Sequence, residues 1–106
     1  MLLHGLFGSA SNFASLQRTL AATHRVVSLD LRNHGASPHA PGMAYDDMAG
    51  DVLDSMAARG IGAAAVLGHS MGGKAAMTVA LRSPDLLRAA LERNAVVRFA
   101  YLKPGE

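Results

Sequence analysis

The segment AAAVLGHSMGGKAAM, at residues 63–77, constrains the fold of this chain more than any other stretch of its sequence. It begins with a continuous apolar run, which is typical of a strand buried on both faces, and it ends in a helical pattern. Between the two stand Gly68, Ser70 and Gly72 in the spacing G-x-S-x-G, which is typical of a sharp turn that exposes a serine. The segment therefore predicts a strand, a tight turn at Ser70 and a helix.

Apolar runs alternate with helical patterns along the whole chain, and this alternation is typical of an α/β domain built on a parallel sheet. The predicted strands are Met1 to Leu3 and the segments RVVSLDL (25–31), AAAVL (63–67) and AVVRFAYL (95–102). We expect an α/β fold with a parallel sheet of about four strands. Flanking helices complete a single domain over residues 1–106.

Four helices are predicted around these strands. The first two have apolar faces at helical spacing, namely Phe13, Leu16 and Leu20 in one and Met48, Val52, Leu53 and Met56 in the other. Ser11 can cap the first helix, and Asp46 or Asp47 can cap the second. The third helix is the segment GGKAAMTVALR, and Pro84 begins a short fourth helix.

The composition excludes several classes of protein. Half of the residues are hydrophobic and 17% are charged, which is typical of a globular domain. The net charge is +2 and the basic residues are scattered, so we expect no nucleic-acid partner. The chain has no cysteine, which excludes disulfides and thiolate metal sites and fits a cytoplasmic location. No apolar run reaches the roughly 18 residues of a membrane span, and no histidine has an acidic partner at metal-ligand spacing, so we expect no metal or cofactor.

The segment from Gly68 to Lys74 also fits a second pattern, G-x-x-x-x-G-K, which is typical of a phosphate-binding loop. Such a loop needs a hydroxyl residue after the lysine to hold Mg²⁺, but Ala75 stands there, although Asp30 could assist a metal. A chance G-x-S-x-G in a glycine-rich chain is a third alternative. The preceding strand and following helix favour the serine interpretation, in which the Met71 amide points at a developing oxyanion.

Two further motifs follow predicted strands. HGLFGS runs from His4 to Ser9, and DLRNHGAS runs from Asp30 to Ser37. Together with GHSMGG, in this order, they resemble the α/β-hydrolase fold family, and their wording is closest to that of small acyl-ester hydrolases. The resemblance covers about residues 1–90. It implies a partial fold, truncated at both ends, because the family's first two strands and its C-terminal part have no counterpart here.

The resemblance also implies roles for individual residues. Ser70 would be the nucleophile, and the backbone amides of Leu6 and Met71 would form the oxyanion hole. Phe7 would line the acyl pocket, and His69 would be structural or bind substrate. Residues expected to be structural or at the surface are His4, Asp30, Arg32, His34, Ser37 and Lys74. The implied substrate is a small-molecule ester, and no cofactor is implied.

The chain departs from the family in its triad. The histidines are His4, His24, His34, His39 and His69, so none follows Ser70, where the family places its general base. His34 and His39, or a histidine of a neighbouring subunit, are the remaining candidates for the base. Asn94 falls close to the place of the family's acid, and Glu92 is the nearest carboxylate.

A partial fold leaves surface uncovered. Both edges of the predicted sheet would be open, and the helix after HGLFGS would lack a neighbour. Because exposed apolar patches mark association, we expect a homo-oligomer. The function expected is a serine hydrolase acting on carboxylic esters. The alternative is a non-catalytic fragment, or a binding or oligomerisation module of the same origin.

Overall fold

The computed structural model describes residues 1–62, 64–85 and 101–102. Its elements are β1 (Leu2–Leu3), a 3₁₀ turn (Ala10–Phe13), α1 (Ala14–Leu20), β2 (Ser28–Leu29), α2 (Tyr45–Ala58), β3 (Leu67–His69), α3 (Met71–Arg82) and β4 (Tyr101–Leu102). Most of the helix predicted after Pro84 lies outside the described residues, as do Glu92, Asn94 and the first part of the predicted fourth strand.

The four strands form one parallel sheet in the order β2-β1-β3-β4. Leu2 lies opposite Ser28 on one side and Leu67 on the other, and Gly68 lies opposite Tyr101. The predicted α/β class and the parallel sheet of about four strands are confirmed. Because the strands are parallel, their carboxyl ends meet at one edge of the sheet, and the loops that follow β1, β2 and β3 come together there.

The strands are shorter than predicted, and one is displaced. The third was predicted over residues 63–67, but β3 is Leu67–His69, so those bounds were wrong. The bounds of a strand depend on hydrogen bonds to a residue on the neighbouring strand, and β1 offers only two residues for such pairing. The Leu2 N–H donates to Val27 O at 2.9 Å, and the Leu67 N–H donates to Met1 O at 2.9 Å. An apolar pattern reports burial, which extends beyond the paired residues.

The core lies between the sheet and the helices α2 and α3. Its fully buried side chains include Leu3, Leu31, Met48, Val52, Met56, Val66 and Val79. The apolar face predicted for α2 is confirmed, with Leu53 packed partly against this core. The predicted cap was wrong, because the residue before the helix is Ala44, and Asp46 and Asp47 lie inside the first turn. Their carboxylates there still face the positive end of the helix dipole.

The helix α1 lies outside this core. It follows a 3₁₀ turn that begins after Ser9, so the predicted cap at Ser11 was wrong. Ser9 precedes the 3₁₀ turn, where its N–H donates to Asn12 Oδ1 at 2.7 Å, and Phe13 precedes α1. No residue of α1 is buried, and Leu16 is 37% exposed. None of the helices within the described residues has the length and apolarity needed to cross a bilayer.

Candidate active site

Ser70 occupies a strained turn between β3 and α3. Its backbone has φ 54° and ψ −114°, which non-glycine residues rarely adopt. Strain of this kind costs about 1–3 kcal/mol and is concentrated at functional sites. The Lys74 N–H donates to Ser70 O at 3.2 Å, which is the first bond of the helix. The Met71 amide precedes that bond, so the geometry of α3 provides no acceptor within the helix for it.

Gly68 and Gly72 explain the spacing of the motif. A Cβ atom on Gly68 would overlap the carbonyl group of Gly72. A Cβ atom on Gly72 would overlap the carbonyl oxygens of Leu3 and His4. The first turn of α3 therefore lies directly against the end of β1, and only glycine at both positions allows this approach.

The loop after β1 lies beside Ser70. A Cβ atom on Gly5 would be 3.0 Å from His69 Nδ1 and 3.5 Å from Ser70 Cβ. Gly5 begins a turn that closes where the Gly8 N–H donates to Gly5 O at 3.0 Å. Leu6 and Phe7 form the tip of this turn and are 57% and 91% exposed. Solvent therefore covers the Phe7 ring, which the sequence predicts to line an acyl pocket.

His4 is buried and makes a hydrogen bond through each ring nitrogen. Its Nε2 accepts the Leu31 N–H at 2.9 Å, so its Nδ1 carries the proton and donates to Gly5 O at 2.8 Å. Burial lowers the pKa of His4, and the nearby His34 lowers it further, whereas the Gly5 bond and Asp30 raise it. A neutral His4 therefore joins the ends of β1 and β2 and has no free nitrogen for proton transfer.

His34 is held in the same tautomer. Its Nδ1 donates to Arg32 O at 2.8 Å, and its Nε2 accepts the Phe7 N–H at 3.1 Å. The rings of His4 and His34 have centroids 5.0 Å apart at 50°. His34 could act as a base only after releasing Phe7, so this geometry does not favour it. His39 is exposed on the same loop.

Asp30 ties the loop after β1 to the loop after β2. Its carboxylate accepts the Ala10 N–H at 2.7 Å and the Ala36 N–H at 3.0 Å, and these bonds lower the pKa of Asp30. The Ser37 hydroxyl donates to Asp30 O at 2.5 Å. Gly35 has φ 50°, and a Cβ atom there would overlap the Asp30 carboxylate. The spacing of the D-x-R-x-x-G-x-S motif thus has a physical basis.

Arg32 anchors this loop to α2. Its guanidinium donates to both carboxylate oxygens of Asp51, at 2.6 and 2.9 Å, and to Pro41 O at 3.1 Å. The bond to Asp51 raises the pKa of Arg32. Asp51 was missed in the sequence because it lies 19 residues away with no local signal. Lys74 is exposed, and its Nζ lies 5.8 Å from the centroid of the Tyr45 ring on α2.

A separate cleft of about 320 Å³ lies between α2 and the loop after β2. Its polar lining includes Asp30, Arg32, Ser37, Asp51, Asp54 and Ser55. None of the predicted catalytic or oxyanion-hole residues lines it. Within the described residues, no three histidine or acidic side chains converge as ligands for a metal.

Comparison of the sequence with known families agrees with this arrangement of a strand, a strained serine and a helix. A profile of the alpha/beta hydrolase fold matches residues 1–95 of the chain. The chain belongs to the α/β-hydrolase fold family. The parallel sheet of this α/β-hydrolase chain brings the loops that carry Gly5, Asp30 and Ser70 to one edge.

This α/β-hydrolase chain is similar to proteins named as lipases and esterases. It is 47% identical over 89 residues to the sn-1-specific diacylglycerol lipase ABHD11 of Danio rerio, covering 82% of this chain and 28% of that protein. It is 46% identical over 85 residues to esterase YbfF of Escherichia coli (strain K12), covering 80% of this chain and 34% of that protein. A solved structure of a marine microorganism esterase matches with a TM-score of 0.77 and 42% identity, over 79% of this chain and 32% of the other. The chain thus spans about a third of the length of these relatives.

Proposed function

We propose that this chain carries the nucleophile of a serine hydrolase that acts on carboxylic esters. The observation that carries the proposal is the backbone of Ser70, at φ 54° between β3 and α3, with the Gly5 turn beside it. Strain at one serine, where three strand ends meet, supports a nucleophile elbow. Relatives named as esterases and lipases support an ester as the substrate.

In the proposed reaction, Ser70 Oγ attacks the acyl carbon of the ester. The carbonyl oxygen becomes an oxyanion, which accepts hydrogen bonds from the amides of Leu6 and Met71. The serine proton passes to a base, the C–O bond to the alcohol breaks, and the alcohol leaves with a proton. Water then attacks the acyl-enzyme, which releases the carboxylic acid and restores Ser70. We propose that His69, which lies beside Gly5, and the exposed Phe7 ring contact the acyl group.

The proposed reaction needs a base that takes the proton of Ser70. His4 and His34 commit both ring nitrogens to other partners. We therefore propose that the proton goes to His39 or to a histidine of a neighbouring chain. Without such a base, an oxyanion hole alone still supports weak turnover of activated esters.

Reaction with a fluorophosphonate tests the nucleophile directly, since this probe labels only an activated serine. We expect labelling of the full chain at Ser70 and its loss in Ser70→Ala. Ser15→Ala, on the exposed side of α1, is the matched control and should label normally. Equal labelling of Ser70→Ala and the wild-type chain would refute the nucleophile role.

The second candidate is a non-catalytic binding or oligomerisation module. It is favoured by the apolar side chains that stand in solvent, among them Phe7 at 91% and Leu81 at 85% exposed. We propose that a second copy of the chain covers part of this surface, whichever of the two functions holds. Absence of fluorophosphonate labelling in a folded chain would favour this second candidate.

The wider setting follows from the composition. We propose that residues 1–106 form a single partial domain. We also propose a cytoplasmic location, because the chain has no cysteine. The proposed partners are a small-molecule ester and further copies of the chain, without nucleic acid. Cell fractionation with a tagged chain tests the location, and recovery in an extracellular fraction would contradict it.

A further inference from the structure

We propose that His34 is a positioning residue for the oxyanion hole. Its ring fixes the turn at Leu6 and Phe7, and this turn presents the Leu6 amide to the reacting oxygen. The inference rests on the proposed function of Ser70 and adds a residue that acts on that site from the neighbouring loop.

The turn needs an external restraint. Phe7 has φ 61°, a left-handed conformation that is costly for a bulky aromatic residue. It occupies the third position of the Gly5–Gly8 turn, where glycine is usually required. A change in the orientation of the peptide between Leu6 and Phe7 converts one turn type into another. Without a hydrogen bond from outside the turn, nothing holds this peptide in the strained orientation.

His34 supplies the restraint on that peptide. The Phe7 N–H belongs to the peptide between Leu6 and Phe7, and it donates to His34 Nε2 at 3.1 Å. The acceptor is available because His34 Nδ1 carries the proton and donates to Arg32 O at 2.8 Å. Arg32 is in turn held by Asp51 on α2. The orientation of the exposed turn is thus connected to the core helix.

The peptide between Gly5 and Leu6 is restrained by hydrogen bonds to its carbonyl oxygen. Gly5 O accepts from His4 Nδ1 at 2.8 Å and from the Gly8 N–H at 3.0 Å. Because a trans peptide places its N–H opposite its C=O, the Leu6 N–H points away from both donors. His4 and His34 therefore hold the two peptides on either side of Leu6. The Leu6 amide lies in the first of these peptides, and the bond from the Phe7 N–H to His34 fixes the position of the turn that carries it.

The two histidines differ in what their loss would do. His4 is 1% exposed and accepts a bond from Leu31 in the core, so its replacement affects folding. His34 lies in a partly exposed place, and the Phe7 N–H it binds is close to water. Loss of the His34 acceptor leaves Phe7 to bind water and frees the turn without opening the core. His34 is therefore the position at which positioning can be separated from folding.

The test compares two variants of the full chain with p-nitrophenyl acetate as substrate. His34→Phe keeps a ring against His4 but removes the acceptor, whereas His34→Gln keeps an acceptor at a similar distance along the side chain. We expect kcat to fall on the order of tenfold to a hundredfold in His34→Phe with KM little changed, since oxyanion contacts act in the transition state. We expect His34→Gln to recover most of that loss.

Controls separate this inference from the proposed function. If Ser70→Ala loses turnover while His34→Phe keeps it, the inference fails and the proposed function stands. An equal loss in His34→Gln and His34→Phe also overturns the inference, because the acceptor is then not the cause. If Ser70→Ala keeps full turnover, the proposed function fails and the inference fails with it.

A spectroscopic measurement on the wild-type chain does not depend on the folding of any variant. The ¹⁵N shifts of the neutral His34 ring should report a proton on Nδ1 and an Nε2 that accepts a hydrogen bond. The Phe7 amide should show slowed hydrogen exchange for so exposed a residue. A proton on Nε2 of neutral His34 would overturn the inference.

Discussion

His4 and His34 face each other at 5.0 Å between ring centroids, and each carries its proton on Nδ1 and accepts a backbone N–H at Nε2. His4 binds the amide of Leu31 and His34 binds the amide of Phe7. One histidine from each of two loops thus holds the backbone of the other loop. The neutral form of both rings is necessary for this arrangement, since a protonated Nε2 cannot accept.

Acid should destabilise the chain through His4. Its pKa is lowered in the folded state, chiefly by burial, so the unfolded state binds the proton more tightly. The stability that depends on neutral His4 is therefore present above the ordinary value of 6.5 and declines as the pH falls below it. We expect Tm to decrease over this range by calorimetry. His4→Gln should flatten the dependence, while His24→Gln, at an exposed position, should not; equal slopes in the three chains would contradict the prediction.

Replacement of Gly72 should disrupt the turn at Ser70. In Gly72→Ala the new Cβ atom meets the carbonyl oxygens of Leu3 and His4, which are backbone atoms of β1 and have little freedom to move. We expect a loss of at least about 1–3 kcal/mol in the free energy of unfolding. The control is Gly62→Ala, where nothing lies within 4 Å of the new Cβ atom. Denaturant unfolding that finds the two variants equally stable would contradict the close approach.

Asp30→Asn should loosen the connection between the two loops. The carboxylate accepts from the amides of Ala10 and Ala36, and asparagine has one acceptor oxygen for these two donors. We expect a loss of about 0.5–1.5 kcal/mol in the free energy of unfolding, because the Ala36 amide is exposed and can bind water instead. Because the pKa of Asp30 is lowered, its contribution is present above the ordinary value of 3.8 and is lost as the pH falls through the folded-state pKa. Asp54→Asn, at an exposed position on α2, is the control, and a similar loss there would show that Asp30 has no special part.

Added imidazole should raise the ester hydrolysis of the chain. If Ser70 lacks a well-placed base, a small soluble base can take the serine proton in its place. We expect the rate with p-nitrophenyl acetate to increase with imidazole beyond the increase measured for Ser70→Ala, which corrects for direct reaction with imidazole. Identical imidazole dependence in the two chains would show that imidazole does not act as a base for Ser70.

The chain should associate in solution. Leu81 on α3 is 85% exposed, and no residue of α1 is buried, so the apolar face of α1 is incompletely covered. We expect light scattering to give a mass above 11.0 kDa per particle and Leu81→Ser to shift the distribution towards the monomer. A monomeric mass for the wild-type chain at micromolar concentration would refute association.

Local patterns in the sequence were sufficient to predict the class of the fold and the strand–turn–helix at Ser70. Period and composition report which residues are buried, and G-x-S-x-G encodes a steric requirement at Gly68 and Gly72. They were insufficient for the bounds of β3, because pairing with β1 depends on residues more than sixty positions away. The predicted cap of α2 was wrong because the helix begins after Ala44, a residue that the capping rule does not select.

The same contrast between local signals and long-range contacts applies to the candidate site. The turn at Ser70 could be predicted because the neighbouring residues in the chain carry its signal. The bonds from His4 to Leu31, from His34 to Phe7 and from Arg32 to Asp51 join residues 19 to 27 positions apart, and no spacing rule links such partners. Hydrogen bonds of this kind form only after the parallel sheet has brought the loops after β1 and β2 to one edge. The sequence thus predicts the strained turn at Ser70, whereas the orientation of the amides around it depends on side chains that folding brings together.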